Sequence, residues 1–242
     1  MVQSISLGPL AIPITPLFAM LAVMIGLDVA ARFGRRLQLP ADDLWNTGMI
    51  AIAACLIVAR LWNVFQFWDV YLEEPRLILS LRPSGFIWGA GLIGGLVAGY
   101  IWMIVKALDP MRVATAFAVG ITAGWVVQSI SNYFTGNLLG TISTLPWAMP
   151  YFDELRHPVP LYEGLGAMVL WLLATLFVKR EQPARIFWGL LLGWSILLLL
   201  TRAFVEEPMT VAGLRTMQVV ALVVGLLACW RLARSTAETP GS

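Results

Sequence analysis

The sequence predicts an all-α, polytopic membrane protein of seven transmembrane helices, N-terminus outside and C-terminus in the cytoplasm, and three observations predict it. The 242 residues are 59% hydrophobic with a mean hydropathy of +0.80, too apolar to be solvated as a soluble domain. Seven apolar runs reach or approach the roughly 20 helical residues needed to cross a hydrocarbon core. The 16 Lys and Arg and the 14 Asp and Glu are confined to short islands between those runs. Helices follow because lipid offers no hydrogen-bond partner to an open sheet edge.

In chain order the expected spans are 8–27, 44–67, 86–105, 113–130, 161–178, 186–201 and 214–230, which together make residues 1–242 a single transmembrane domain. The first run has no charged stretch before it and no clean small-residue cleavage site after it, so it reads as a retained span. Arg32, Arg35, Arg36, Lys106, Arg112, Lys179, Arg180, Arg185, Arg231 and Arg234 fall on one side if the first span runs inward. Those ten of the 16 basic residues mark the cytoplasmic side. The outer side receives Arg60, Arg76, Arg82, Arg156, Arg202 and Arg215 with most of the acids, so six cations stand where the topology rule does not ask for them. The net charge of +2 is accounted for by cytoplasmic loops, and no nucleic-acid partner is expected.

Gly89-x-Gly91-x-x-Gly94 has the spacing of a dinucleotide fingerprint but lies inside a span, where that motif has no strand to follow. Gly85 and Gly89 and, one face over, Gly91, Gly95 and Gly99 recur at four-residue spacing and favour close helix packing over a glycine-lined floor for a lipid. Cys55 and Cys229 lie in spans two and seven as small apolar groups. With one histidine and two separated cysteines, neither a metal nor another cofactor is expected.

Residues 113–152 carry no charge over 40 positions, too many for one crossing. The second half is rich in amides and hydroxyls (Gln128, Ser129, Ser131, Asn132, Thr135, Asn137, Thr141), with Gly136 and Gly140 as helix breakers. Residues 131–160 are therefore read as an outer-face loop segment between spans four and five. It is either a partly solvated loop with satisfied amides or a set of uncharged donors for phosphate and glycerol oxygens.

Next comes Arg156-His157-Pro158-Val159-Pro160-Leu161-Tyr162-Glu163. The prolines hold the residues before them extended, which presents Arg156 and the only histidine above Glu163, the third residue of its span. Arg202 and Glu206 are four apart at the outer end of span six, so they share a helix face and can pair. The order Arg then Glu is the less favourable one, a hint that each serves another partner. Arg60 lies in the outer third of span two, where an unpaired guanidinium is costly. Arg60, Arg156, His157, Glu163, Arg202, Glu206 and the amides thus converge, from four spans, at the level of outer-leaflet headgroups, and guanidinium suits bidentate phosphate recognition. A transporter is disfavoured by the lack of a mid-membrane carboxylate or an internal repeat.

These strings resemble bacterial prolipoprotein diacylglyceryl transferases. The likeness includes Leu7-Gly8-Pro9-Leu10, Ala59-Arg60-Leu61, Gly91-Leu92-Ile93-Gly94, residues 132–140, Leu145-Pro146-Trp147-Ala148-Met149, Arg156-His157-Pro158 with Leu161-Tyr162-Glu163, and Arg202-x-x-Val205-Glu206 followed by Met217-Gln218. The resemblance implies a bacterial inner-membrane enzyme that moves diacylglycerol from phosphatidylglycerol, or another anionic phospholipid, onto the lipobox cysteine of prolipoproteins. It also implies prolipoprotein signal peptides as partners. The expected catalytic residues are His157, Arg202 and Glu206. Arg60, Asn132, Gly136, Asn137, Gly140, Arg156, Tyr162 and Glu163 are expected to bind substrate. The chain departs from the family where the histidine of His-Gly-Gly is replaced within Gly89-Ala90-Gly91, and where the signature arginine and glutamate become Ser129 and Asn137. Those departures leave a second reading, a lipid-binding or accessory subunit without the chemistry.

Overall fold

The computed structural model describes residues 4–7, 10–79, 85–151, 153–177, 182–208 and 213–237. The described chain opens with an antiparallel hairpin, β1 (Ser4–Leu7) and β2 (Leu10–Pro13), in which Ser4 faces Pro13 and Leu7 faces Leu10. Helix α1 (Ile14–Arg36) follows, then α2 (Ala41–Gln66), the short α3 (Trp68–Glu73) and a 3-10 turn, Pro75–Leu79. Helices α4 (Trp88–Val105) and α5 (Pro110–Thr135) come next, then a second hairpin of β3 (Met149–Tyr151) and β4 (Glu154–Arg156). The chain continues through α6 (Val159–Phe177), α7 (Pro183–Thr201), a 3-10 turn at Arg202–Phe204 and α8 (Thr216–Ala237). All these helices except α3 are long and apolar enough to cross a membrane. The protein is an all-α, seven-span membrane protein.

The first span is displaced from its expected place. Residues 10–13 pair as a strand, and Pro13 at φ −68°, ψ 135° is the last extended residue. The helix then runs nine residues past position 27, supported by Arg32 Nε donating to Asp28 Oδ1 at 3.0 Å one turn earlier. Helix α5 also outruns its expected span at both ends. Asp109 caps it by accepting from the Arg112 amide at 2.7 Å, Pro110 occupies the first turn, and Gly136 at φ 68° ends it in the left-handed conformation that glycine adopts without strain. The connection to α6 is consequently 136–158, shorter than 131–160.

Helix α5 lies at the centre, packed on α1, α6 and α7, while α2 pairs with α4 and α7 with α8. Small residues set these distances. A Cβ at Gly91 would lie 2.5 Å from Cys55 O, and one at Gly95 would lie 2.7 Å from Ala51 O, so these two α4 glycines serve packing, whereas Gly89 faces open space. The sequence reading missed the equivalent contact between α1 and α5, where a Cβ on Gly120 would strike Gly26 O and one on Gly124 would lie 2.6 Å from Ala22 O. Trp194 Nε1 donates to Thr122 Oγ1 at 2.9 Å, and Thr115 Oγ1 donates to Pro183 O at 2.9 Å, joining α5 to α7 and its start. Phe33, Leu37, Leu44, Val113, Val119, Ile186 and Leu190 form an apolar core at one end of the bundle. The opposite end is polar.

Gly120→Leu is expected to force α1 from α5 and to lower stability by about 1–3 kcal/mol, the usual cost of overpacking. Thermal unfolding in detergent measures it. Gly89→Leu, at a position with nothing within 4 Å of an added Cβ, leaves the midpoint near the parent's.

Candidate functional site

The polar end is built on a strip of backbone. Once Gly136 has turned the chain out of α5, Leu139 O accepts from the Glu206 amide at 2.9 Å and the Thr141 amide donates to Phe204 O at 2.7 Å. On the strip's other side the Ser143 amide donates to Leu155 O at 2.9 Å, and the His157 amide to Thr141 O at 3.0 Å. Residues 139–143 are thereby held between 154–157 and 204–206, with bridges pairing Gly140 to Val205 and Ile142 to Arg156. Gly140 must lack a side chain, because a Cβ there would run into His157 O. Tyr151 anchors the hairpin by donating its hydroxyl to Tyr133 O at 2.9 Å. Burial, and then Tyr133, push that phenol up to about 12, so it stays a neutral donor.

Two guanidiniums stand on this platform. Arg156 reaches Glu206, Glu154 and, at 3.0 Å, Gly140 O. Its hydrogen bond to Glu206 is the main influence holding it more basic than usual, against desolvation. Arg202 Nε lies 3.1 Å from Glu163 Oε1 as an ion pair, with the N–H skewed from hydrogen-bond geometry, and its Nη1 lies 3.6 Å from Glu207 Oε1. Glu163 is 1% exposed, the fifth residue of α6, and Thr201 Oγ1 also donates to it at 3.4 Å. The Trp125 indole faces the same carboxylate without completing a hydrogen bond.

The expectation that Arg202 and Glu206 share a helix face is corrected. Helix α7 ends at Thr201, a 3-10 turn occupies Arg202–Phe204, and Val205 is extended at φ −89°, ψ 142°. That change of course sends Glu206 to Arg156 and brings Glu207 to Arg202.

His157 packs against Phe204 with ring centroids 4.6 Å apart and planes tilted by 37°, and its Nδ1 lies 3.2 Å from Tyr162 Oη. Tyr162 Oη also accepts from Trp147 Nε1 at 2.9 Å. His157, Tyr162, Glu163, Arg156, Gly140, Arg202 and Glu206 therefore gather at one end. Gly136 and the exposed Asn137 lie where the strip leaves α5, and Asn132 accepts from Gln128 Nε2 at 3.3 Å inside α5. Arg60 stands apart from the cluster. Its Nε donates to Ile78 O at 3.0 Å, Nη1 to Gly85 O at 2.7 Å and Nη2 to Leu77 O, between the rings of Tyr71 and Phe86. It ties the α2–α4 connection to α2. Ser129 is buried against Gly164 and donates to Val126 O at 2.8 Å.

Several members of the cluster were not singled out from the sequence. Glu154 is two residues from Arg156 on one strand, a same-face spacing that was legible. Arg215, 8% exposed, donates to Ala203 O at 3.0 Å and Glu207 O at 3.3 Å. Gln218 accepts from the Arg215 amide and donates to Leu199 O, both at 3.0 Å. Gln218, three residues after Arg215, supplies one half of a helix-start capping box by accepting the Arg215 amide; Arg215 has no side-chain acceptor for the other half. Together they fasten the α7–α8 connection that carries Glu206 and Glu207.

Seven spans with a charge-paired polar cluster at one end define an integral membrane protein with its candidate site at one end of the bundle. More particularly, the chain belongs to the prolipoprotein diacylglyceryl transferase family, whose family model matches residues 3–234. It is 27% identical over 205 residues to the phosphatidylglycerol–prolipoprotein diacylglyceryl transferase of Clostridioides difficile, covering 83% of this chain and 82% of that one. The Trichormus variabilis protein of the same name is 26% identical over 235 residues (90% and 83%). That of Bacillus cytotoxicus is 29% identical over 223 residues (86% and 80%).

Glu163→Ala is expected to leave Arg202 with only the outer Glu207 and to cost up to about 3–5 kcal/mol, the range for removing one partner of a buried ion pair; the folded fraction in detergent reads it. Glu206→Ala, which removes an exposed carboxylate, leaves that fraction near the parent's. Arg60→Lys keeps the charge but cannot fork to three carbonyls, so limited proteolysis should cut within 75–87 sooner than in the parent.

Proposed function

We propose that this protein is a multi-pass transferase of the bacterial cytoplasmic membrane, with its polar end outward, that moves diacylglycerol from phosphatidylglycerol to the lipobox cysteine of a prolipoprotein. The reading is carried by one observation, the gathering of His157, Arg156 and Arg202 on one platform drawn from α5, the 136–158 connection, α6 and the α7–α8 connection, with His157 against Phe204 of the segment that follows Arg202. The cysteine sulfur bonds to the glycerol carbon of the lipid, the carbon–oxygen bond to phosphate breaks, and glycerol phosphate leaves with the electron pair. His157 takes the thiol proton. Arg202 and Arg156 stabilise the departing phosphate.

Both guanidiniums already hold carboxylates, and the two that can yield are the outer ones. The Glu206 and Glu207 side chains are 56% and 38% exposed, whereas Glu163 is 1% exposed. Phosphate oxygens replace Glu206 on Arg156 and Glu207 on Arg202, while Glu163 keeps Arg202 in place from beneath. Asn132, Asn137 and the Gly136 to Gly140 backbone supply uncharged donors for glycerol oxygens, and Tyr162 borders the same space. Arg60 acts at a distance by fixing the neighbouring connection.

A specific observation favours a second reading. Ser129 packs against Gly164 and Asn137 is uncharged, so the family's signature arginine and glutamate have no counterpart at their own positions. A protein that binds the lipid without the chemistry, as an accessory subunit, would tolerate that.

The test is transfer from labelled phosphatidylglycerol to a lipobox-cysteine peptide by purified protein. The expected result is thiol-linked diacylglycerol, reduced about 10²–10⁴-fold by His157→Ala, the usual worth of a positioned base, and comparably by Arg202→Ala. No product, with a family enzyme active in the same preparation, rejects the transferase reading and leaves the lipid-binding one.

A further inference from the structure

Tyr162 is placed in a way that substrate binding does not explain. Its hydroxyl turns toward protein groups, accepting from Trp147 Nε1 at 2.9 Å and lying 3.2 Å from His157 Nδ1. The imidazole is gripped from other sides as well. Phe204 packs against it at 4.6 Å, the Tyr162 ring meets it edge-on at 6.1 Å, and its own backbone amide is fixed to Thr141 O at 3.0 Å. The ring therefore has one nitrogen committed to Tyr162 and one left over.

The direction of the proton between the two groups decides what the leftover nitrogen can do. If the phenol donated to Nδ1, the neutral ring would carry its hydrogen on Nε2, and that nitrogen could accept nothing. If Nδ1–H donates to the phenol oxygen, Nε2 keeps its lone pair. The 3.2 Å separation is compatible with either direction, and only the second leaves a base at His157. In that arrangement the phenol oxygen accepts from Trp147 and His157 on its two lone pairs and its own O–H is left to donate elsewhere.

We infer that Tyr162 is a positioning residue for His157: it holds the Nδ1–H tautomer and leaves Nε2 as a proton acceptor, with Trp147 orienting the phenol. The inference rests on His157 being the base of the transfer proposed above. After the thiol proton arrives at Nε2, Nδ1–H still donates to Tyr162, so the imidazolium forms without a change of partners. This is the logic by which an orienting group prepares a catalytic histidine, with a neutral phenol as the orienter.

The chain contains a single histidine, so protein labelled with ¹⁵N-histidine and purified whole in detergent gives one imidazole spectrum without assignment. At alkaline pH, where the ring is neutral, the parent should show a protonated Nδ1 and an unprotonated Nε2. Tyr162→Phe should shift the population toward the Nε2–H form that free imidazole side chains prefer. A parent spectrum with Nε2 protonated overturns the inference without any variant, and so does an unchanged tautomer in a folded Tyr162→Phe protein. In the transfer assay, Tyr162→Phe should lower kcat/KM about tenfold or more, within the range a positioned base supplies, and shift its pH profile, with KM little changed. The expected tautomer in a protein that transfers nothing sustains the positioning role and rejects the transferase reading, so the two failures are told apart.

Discussion

A carboxylate that is 1% exposed, one turn into a membrane-spanning helix, requires a cation, and the pairing of Glu163 with Arg202 is the contact on which the polar end depends. Arg202 is the first residue after α7, so meeting Glu163 ends that helix against the start of α6. The chain must then leave α7 as a 3-10 turn and an extended residue, which places Val205 beside Gly140 and Phe204 over His157. The partners of Arg156, the packing of the histidine and the position of Glu207 follow from that exit. Arg215 and Gln218 hold it from the far side by taking the carbonyls that the broken helix leaves open.

The bundle divides its work between its ends. At one end aliphatic side chains from α1, α2, α5, α6 and α7 close a dry core. At the other, backbone carbonyls and carboxylates receive guanidinium groups. Between them, glycines on α1, α4 and α5 bring helices into backbone contact, since lipid tails supply no hydrophobic drive for helices to associate. Helix α5 carries this role furthest, linking the core to the strip that begins at Gly136.

The seven spans were legible because each apolar run is long and bounded by charge. The first was misplaced because Leu10-Ala11-Ile12-Pro13 is as apolar as a helix but pairs as a strand, and hydropathy cannot tell those apart in a short run. That polar groups from several spans gather at one end was legible in the excess cations; for Arg202 and Glu206 the unfavourable order hinted at the separate partners found, Glu163 and Arg156, while the four-residue spacing suggested a shared helix face that does not form. Which carboxylate meets which arginine was not, because it depends on where α7 stops. Arg60 shows the same limit: a guanidinium near a helix end signals an oxygen partner, but only the fold reveals backbone carbonyls of 77, 78 and 85 as those partners.

The central claim is that exposed carboxylates on Arg156 and Arg202 give way to a lipid phosphate while Glu163 stays. Native mass spectrometry of protein exchanged into mixed phosphatidylglycerol and phosphatidylcholine measures it most directly, comparing the parent with Arg202→Gln and with Glu207→Gln. The account predicts preferential retention of phosphatidylglycerol by the parent, loss of the preference in Arg202→Gln, and stronger retention in Glu207→Gln, where the competing carboxylate is gone. Equal retention of the two lipids by all three proteins would contradict it.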